Sequence, residues 1–135
     1  MYDKSKFFFY QIEKNKLKHH HSLNLYGINK ADYYPNGKYV ITISNYGKTI
    51  SLYDAISFKC LNSIFIINDK ITNLAFPNND NDYFLAYSES KIYIISLANL
   101  NFTVETNFSG RIIKAICNDK SLFIFSELGY IYKYN

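Results

Sequence analysis

The feature that most constrains this chain is a repeat of about forty residues. Short apolar runs end in a similar way at four points separated by 43, 42 and 39 residues: Tyr10-Gln11, Tyr53-Asp54, Ile95-Ser96 and Tyr134-Asn135. A fixed period of roughly 40–45 residues is typical of arrays of four-stranded β units. The period therefore predicts a set of similar sheets, but it does not identify the process in which the protein takes part.

The second unit shows the pattern most clearly. Its turns contain Pro35-Asn36-Gly37 and Asn45-Tyr46-Gly47, and such sequences accept the φ angles of tight turns. Ile50 and Leu52 alternate with Tyr53, so that the two aliphatic residues point to one face and the tyrosine to the other. Four runs rich in β-branched and aromatic residues therefore predict four short antiparallel strands: 28–33, 39–44, 48–54 and 59–66.

This unit resembles a WD40 repeat. Tyr53-Asp54 stands where that family has the tryptophan-aspartate pair that closes the third strand. Pro35-Asn36-Gly37 matches its proline-aspartate-glycine turn, and Lys59-Cys60-Leu61 matches the small start of its fourth strand. The other units are weaker matches, and only Ser109-Gly110 echoes the family's glycine-histidine pair. The resemblance implies an all-β fold of WD40-like β-propeller blades, each an antiparallel four-stranded sheet.

The repeats divide the chain, 1–135, into segments of a single partial propeller domain. We expect blades at about 1–24, 25–67, 68–108 and 109–135, of which the first and the last are partial. The apolar runs predict two, four, four and three strands in these segments, thirteen in all. This is about three blades, whereas a closed propeller needs at least about four, so we expect an incomplete ring.

Three explanations for an incomplete ring remain open. The chain is a piece of a longer propeller, or a partner or second copy supplies the missing blades, or an open curved sheet persists alone. Unpaired strand edges attract other strands, and the runs Phe7–Tyr10 and Tyr130–Tyr132 are apolar rather than polar caps. We therefore expect the purified chain to aggregate or to self-associate through its open blade edges.

The net charge of +4 is mild, whereas modules that bind nucleic acid usually carry a clustered basic stripe. The nearest candidate is the segment with Lys14, Lys16 and Lys18, which is followed by His19-His20-His21. Lys16, Lys18 and His20 would share one face of a strand. That face is either a phosphate-binding edge or a solvated hairpin, so RNA remains an alternative partner.

Residues suited to catalysis or metal binding are sparse. Cys60 and Cys117 lie 57 residues apart without a further ligand at metal spacing, so we expect buried structural thiols. The histidine triplet lacks a third suitable ligand, and Asp80 and Asp82 lack the glycine and glutamate of a calcium loop. Neither a phosphate-binding glycine loop nor a nucleophile motif occurs. We therefore expect no enzyme activity, no metal and no cofactor.

The sequence also bears on location. It contains no apolar run of the roughly 18 residues that a membrane span needs. The N-terminal residues do not combine a basic region with an unbroken apolar stretch and a cleavage site. We therefore expect an intracellular protein, cytoplasmic or nuclear, that makes no contact with a membrane.

The WD40 resemblance also implies a function. Members of that family are non-catalytic scaffolds or adaptors that mediate protein–protein interaction within multiprotein complexes. Binding is concentrated on the face formed by the second-to-third-strand and fourth-to-first-strand loops. Carried over to this sequence, that face holds the candidate partner-binding residues Tyr26, Tyr46, Lys48, Lys70, Lys91 and Arg111. The alternative is an RNA-associated propeller component of ribosome biogenesis or RNA processing.

Overall fold

The computed structural model describes residues 4–78, 82–118 and 121–134. Most of these residues lie in β-strands, and Asn45–Gly47 forms one short helical turn. The strands of the described residues are β1 (Lys4–Glu13), β2 (Lys16–Tyr26), β3 (Lys30–Tyr33), β4 (Tyr39–Ser44), β5 (Thr49–Asp54), β6 (Cys60–Phe65), β7 (Asn73–Ala75), β8 (Tyr83–Tyr87), β9 (Ile92–Ser96), β10 (Phe102–Glu105), β11 (Ile112–Cys117), β12 (Leu122–Ser126) and β13 (Ile131–Tyr134).

These strands form antiparallel sheets in which neighbouring strands are consecutive in sequence. The first sheet is the β1–β2 hairpin, the second contains β3–β6, the third β7–β10 and the fourth β11–β13. The pattern arises because short turns separate runs of β-branched and aromatic residues. It confirms the expected all-β fold and the four-stranded antiparallel sheet within residues 28–66.

The sheets pack face to face in chain order because both faces of their inner strands are apolar. In β4, Val40 packs towards the hairpin, whereas Ile41 and Ile43 pack towards the third sheet. In β8, Phe84 contacts the second sheet and Leu85 contacts the fourth. Successive residues of a strand point to opposite faces, so each inner sheet contributes to two cores.

The core between the second and third sheets fixes the ends of those sheets relative to each other. The Tyr34 hydroxyl donates a hydrogen bond of 2.8 Å to the carbonyl oxygen of Tyr83 across this core. Its most deeply buried side chains are those of Tyr34, Ile41, Ile43, Ile50, Ile66, Ile71, Phe84, Ile95 and Leu100. The loops that leave the two sheets are therefore held on a rigid base.

Two expectations from the sequence are wrong in detail. The hairpin strands run beyond the apolar run Phe7–Tyr10 and beyond the first expected segment, about 1–24, so that Tyr26 ends β2 instead of lying in a loop. Cys60 is exposed rather than buried, because β6 is the outermost strand of its sheet. Cys117, in contrast, is buried as expected.

Two further interpretations fall on parts of the chain that the structure does not describe. The loop that holds Asp80 and Asp82, which lacks the glycine and glutamate of a calcium loop, includes one residue outside the described part of the chain, Asp80. The side chains of His20 and His21 lie outside them as well. That His20 shares a strand face with Lys16 and Lys18 therefore stays a prediction.

Candidate functional site

The connections between strands place a set of loops at one end of the stacked sheets. Because each sheet is a meander of antiparallel strands, every second connection returns to the same end. We call this end the loop face. It consists of residues 27–29, 45–48, 66–72, 88–91, 106–111 and 127–130.

The centre of the loop face is an unusual backbone segment. Asn45, Tyr46 and Gly47 have φ angles of 51°, 53° and 86°, in the left-handed region that glycine and asparagine adopt most easily. The Tyr46 N–H donates to the Gly27 carbonyl oxygen at 3.0 Å, and the Ile71 N–H donates to the Gly47 carbonyl oxygen at 2.8 Å. One loop thus joins the hairpin, the second sheet and the third sheet.

Close packing accompanies these hydrogen bonds. A Cβ atom on Gly27 would lie 2.9 Å from the Tyr46 backbone nitrogen, and one on Gly47 would lie 2.6 Å from the Ile71 carbonyl oxygen. The Lys70 side chain also lies over Gly47, because its Cγ atom would be 2.7 Å from a Cβ atom on that glycine. The two glycines are therefore required for the loops to approach one another. The sequence indicates Gly47 only as part of a turn, and it gives no signal for Gly27.

This packing brings together four of the candidate partner-binding residues. The rings of Tyr26 and Tyr46 meet edge to face, with centroids 5.3 Å apart and planes at 81°. Lys48 follows the left-handed segment directly, and its carbonyl oxygen accepts the Ile66 N–H at 2.7 Å. With Lys70 over Gly47, the result is a patch of one exposed tyrosine, one half-buried tyrosine and two exposed lysines. We call these four residues the tyrosine–lysine patch.

The other two candidates form a separate group one sheet further along. The Arg111 Nε atom lies 3.2 Å from Oε2 of Glu127, and its NH1 atom lies 3.6 Å from Oε1 of Glu89. Arg111 therefore ties two neighbouring loops together, and exposure of all three side chains keeps its net contribution to stability small. Lys91 is half-buried in the loop immediately before β9.

The lysines of the loop face lack ion-pair partners. In the described residues, Lys48, Lys70 and Lys91 form no ion pair. The carboxylate of Asp69, which precedes Lys70 in the sequence, accepts a hydrogen bond of 2.6 Å from the Tyr93 hydroxyl. Burial, together with the charge and hydrogen bond of Asp69, raises the pKa of Tyr93 well above its usual value. The loop face therefore presents lysines without an ion-pair partner in the described residues beside the exposed ring of Tyr46.

The hairpin tip carries the basic residues considered for RNA. Lys14 and Asn15 both have positive φ, as in the two-residue turns that join the strands of a β-hairpin. Lys14, Lys16 and Lys18 are all exposed. Glu13 lies opposite Lys16 in the strand register, which places a carboxylate among them.

Other features bear on metals, thiols and membranes. Within the described ranges, no group of three His, Cys, Asp or Glu side chains is arranged to hold a metal ion. The buried Cys117 Sγ atom lies 3.4 Å from the Tyr83 hydroxyl. In the part of the chain that the structure describes, none of the helical segments has the length and apolar character required to traverse a bilayer.

Comparison with known proteins relates the chain to one architecture. No family model matches the sequence, and no curated protein matches it. Among solved structures, the crystal structure of the RRP9 WD40 repeats is similar, with a TM-score of 0.69 and 13% sequence identity. The match covers 81% of this chain and 35% of that one, so the chain spans about a third of that structure. At this level of identity the likeness concerns the fold, which is that of WD40-like β-propeller blades.

Proposed function

We propose that this chain is a non-catalytic scaffold or adaptor whose loop face binds another protein within a multiprotein complex. The observation that supports this most strongly is the tyrosine–lysine patch. Tyr46 is 48% exposed, and its backbone is fixed by hydrogen bonds that join two sheets and the hairpin. A rigid aromatic side chain gives large contact area at little entropic cost, which is why tyrosine is frequent among binding hot spots.

We further propose that the chain works as a segment of a larger propeller. It spans 35% of the RRP9 WD40 structure. The outer faces of its first and fourth sheets also carry exposed apolar side chains, for example Phe8 and Ile131. A further blade, or another copy of this chain, would cover such faces in the way that the internal sheets cover one another.

A matched pair of substitutions tests the binding surface. Tyr46→Ala removes the exposed ring of the patch, and Tyr33→Ala removes a ring of similar exposure, 45%, at the opposite end of the second sheet. Each ring packs edge to face on an aromatic neighbour among the described residues: Tyr46 on Tyr26, and Tyr33 on Phe9. We expect only Tyr46→Ala to weaken binding, by about 2 kcal/mol or roughly thirtyfold in Kd if it is a hot spot.

The lysines provide a second matched pair. The double variant Lys48→Glu, Lys70→Glu reverses the charge of the patch. The double variant Lys38→Glu, Lys59→Glu is the control, because it changes two exposed lysines at the other end of the second sheet. Partners would be identified by cross-linking and mass spectrometry in cells that produce the protein. The proposal would be contradicted if both sets of variants lost the same partners. It would also be contradicted if neither set lost any.

RNA binding is the second candidate, because the hairpin holds Lys14, Lys16 and Lys18 exposed on a tight turn. If these lysines contact phosphates, affinity for single-stranded RNA falls steeply as salt is raised. Replacing all three by glutamine would then remove the salt dependence. A flat response to salt in the unmodified protein would eliminate this candidate.

A further inference from the structure

A groove of about 470 Å³ lies between the outer strands of the second and third sheets. One wall is the segment that ends β6 and follows it, and the other wall is β10, the edge strand of the third sheet. Its exposed apolar lining residues, between 39% and 71% exposed, are Phe65, Ile67, Phe102 and Val104. The volume falls in the range of ligand pockets, roughly 300–1,000 Å³.

The strand register explains why these side chains converge. Phe102 lies opposite Ile95 and Val104 lies opposite Tyr93, and both partners belong to the core shared with the second sheet. Phe102 and Val104 therefore point towards the second sheet without being covered by it. Phe102 packs edge to face on Tyr93, with ring centroids 5.4 Å apart, which forms a firm floor for the groove.

The charge of the groove comes from one lysine. Lys91 is the one charged side chain among the described residues that line the groove, and it forms no ion pair with the described residues. The Asp69 carboxylate, which accepts the Tyr93 hydroxyl, is not among the lining residues. Glu105 follows Val104 but lies opposite Ile92, whose core is shared with the fourth sheet, so its side chain points to the other face.

The groove also offers a strand edge. In the described residues β10 pairs with β9 on one side and has no strand partner on its other side. An extended peptide can use the main chain of such an edge and place alternate side chains on one side. Two large side chains spaced two residues apart would suit the apolar walls, and a neighbouring carboxylate would suit Lys91.

We propose that the groove binds an extended acidic segment of a partner protein, with two large apolar side chains between the walls and a carboxylate at Lys91. The inference rests on the proposed scaffold function, since it describes how a partner of the loop face would be anchored at the rim. Lys91 belongs to both surfaces, because it also lies in the loop that joins β8 to β9.

The probe is a fluorescein-labelled ten-residue peptide with a leucine and a phenylalanine two positions apart, flanked by aspartates. Binding to the 135-residue chain would be measured by fluorescence anisotropy. We expect Lys91→Glu and Val104→Glu each to weaken binding at least roughly tenfold, since a like charge now faces the aspartates. Lys114→Glu, an exposed lysine on β11, serves as the control and is expected to leave binding unchanged.

Charge reversal supplies the decisive comparison. A peptide with lysines in place of the aspartates should bind Lys91→Glu more tightly than it binds the unmodified protein. Circular dichroism would verify that both groove variants are folded. Absence of binding by the acidic peptide, or binding that neither groove variant alters, would overturn the proposal.

The outcomes also separate this site from the proposed function. If Tyr46→Ala loses the cellular partner while the acidic peptide fails to bind, the groove assignment is wrong and the scaffold function stands. If the peptide binds with the expected charge dependence but loop-face variants keep every cellular partner, the loop face is wrong and the groove stands.

Discussion

At the scale of single residues, Gly47 connects conformation with function. Its left-handed φ angle and the backbone of Ile71 beside it leave no room for a side chain. The hydrogen bond from Ile71 to Gly47 joins two sheets directly beneath Tyr46. The position of the tyrosine–lysine patch therefore depends on a residue that presents no side chain to a partner.

Gly47 must adopt a positive φ angle and must leave room for the backbone of Ile71. Comparison of Gly47→Ala with Gly129→Ala separates these two requirements. Both glycines have a φ of +86°, but a Cβ on Gly129 would meet nothing within 4 Å. We expect Gly129→Ala to lower the free energy of unfolding by about 1 kcal/mol through backbone strain, and Gly47→Ala by roughly 1–3 kcal/mol more through the clash. Urea unfolding checks this, and equal losses would show that the close approach to Ile71 is absent.

The Tyr93 hydroxyl gives a pH-dependent signature. Its pKa is raised in the folded protein by burial and by Asp69, so the folded state holds this proton more tightly than the unfolded state. The resulting stabilisation is complete below pH 10.0, the usual tyrosine value, and is lost as pH rises towards the raised pKa.

Tyr93→Phe should therefore be less stable than the unmodified protein at pH 8, by about 2 kcal/mol for a hydrogen bond to a carboxylate. The difference should shrink above pH 10.0, because only the tyrosine loses its proton on unfolding. Thermal unfolding of both proteins across this range provides the measurement. A difference that stays constant with pH would contradict the assignment.

At the scale of elements, the sequence predicted the inner strands well and the hairpin less well. β4 contains an unbroken run of four β-branched residues, and β4 and β5 are both bounded by turns and buried on both faces, so that pattern and environment agree. The hairpin strands contain exposed polar side chains such as those of Lys16, Lys18 and His19, so their apolar runs stop before the strands do. Tyr26 was expected in a loop for this reason. The sequence does not predict the exposure of Cys60, because its match to the start of the fourth WD40 strand does not show whether that edge strand is covered.

The hairpin is attached to the second sheet through one small core. Leu23, which is 8% exposed, packs there with Val40, Tyr53 and Phe58. Leu23→Ala should destabilise the protein by about 3 kcal/mol and accelerate hydrogen exchange in β1 and β2 before it does so in β8. Leu17→Ala, at a position 71% exposed, should change stability by less than about 0.5 kcal/mol. Uniform acceleration throughout the chain would mean that the hairpin does not open separately.

At the scale of the whole molecule, the groove beside Lys91 could not be inferred from the sequence. Phe102 and Val104 alternate with polar residues, a pattern that predicts a strand with one apolar face but does not show whether that face is covered. Their exposure depends on the width of the gap between the second and third sheets. The strand pattern of either sheet alone does not predict that width. The loop face was easier to predict, because the WD40 resemblance fixes which connections share an end.

The outer faces of the array lead to a prediction about association. Phe8 and Tyr10 are exposed on the hairpin, and Ile131 is exposed on β13, the edge strand of the fourth sheet. We expect sedimentation velocity to show association that increases with protein concentration, because open edges and apolar faces pair with other chains.

Lysine on an edge strand opposes such pairing, so Ile131→Lys should shift the distribution towards the monomer. Ile56→Lys, at an exposed position in the turn between β5 and β6, is the matched control. A monomer at every concentration, with or without the substitution, would rule out self-association through this edge.

The three cores in the described residues join only sheets that are consecutive along the chain. In such linear arrays each unit depends on its nearest neighbours alone. Duplication or deletion of one unit in the gene would leave the remaining contacts similar in kind. Recombination can thereby alter how many surface loops are displayed while the interior keeps its chemistry, which gives this architecture a simple evolutionary route to new partners.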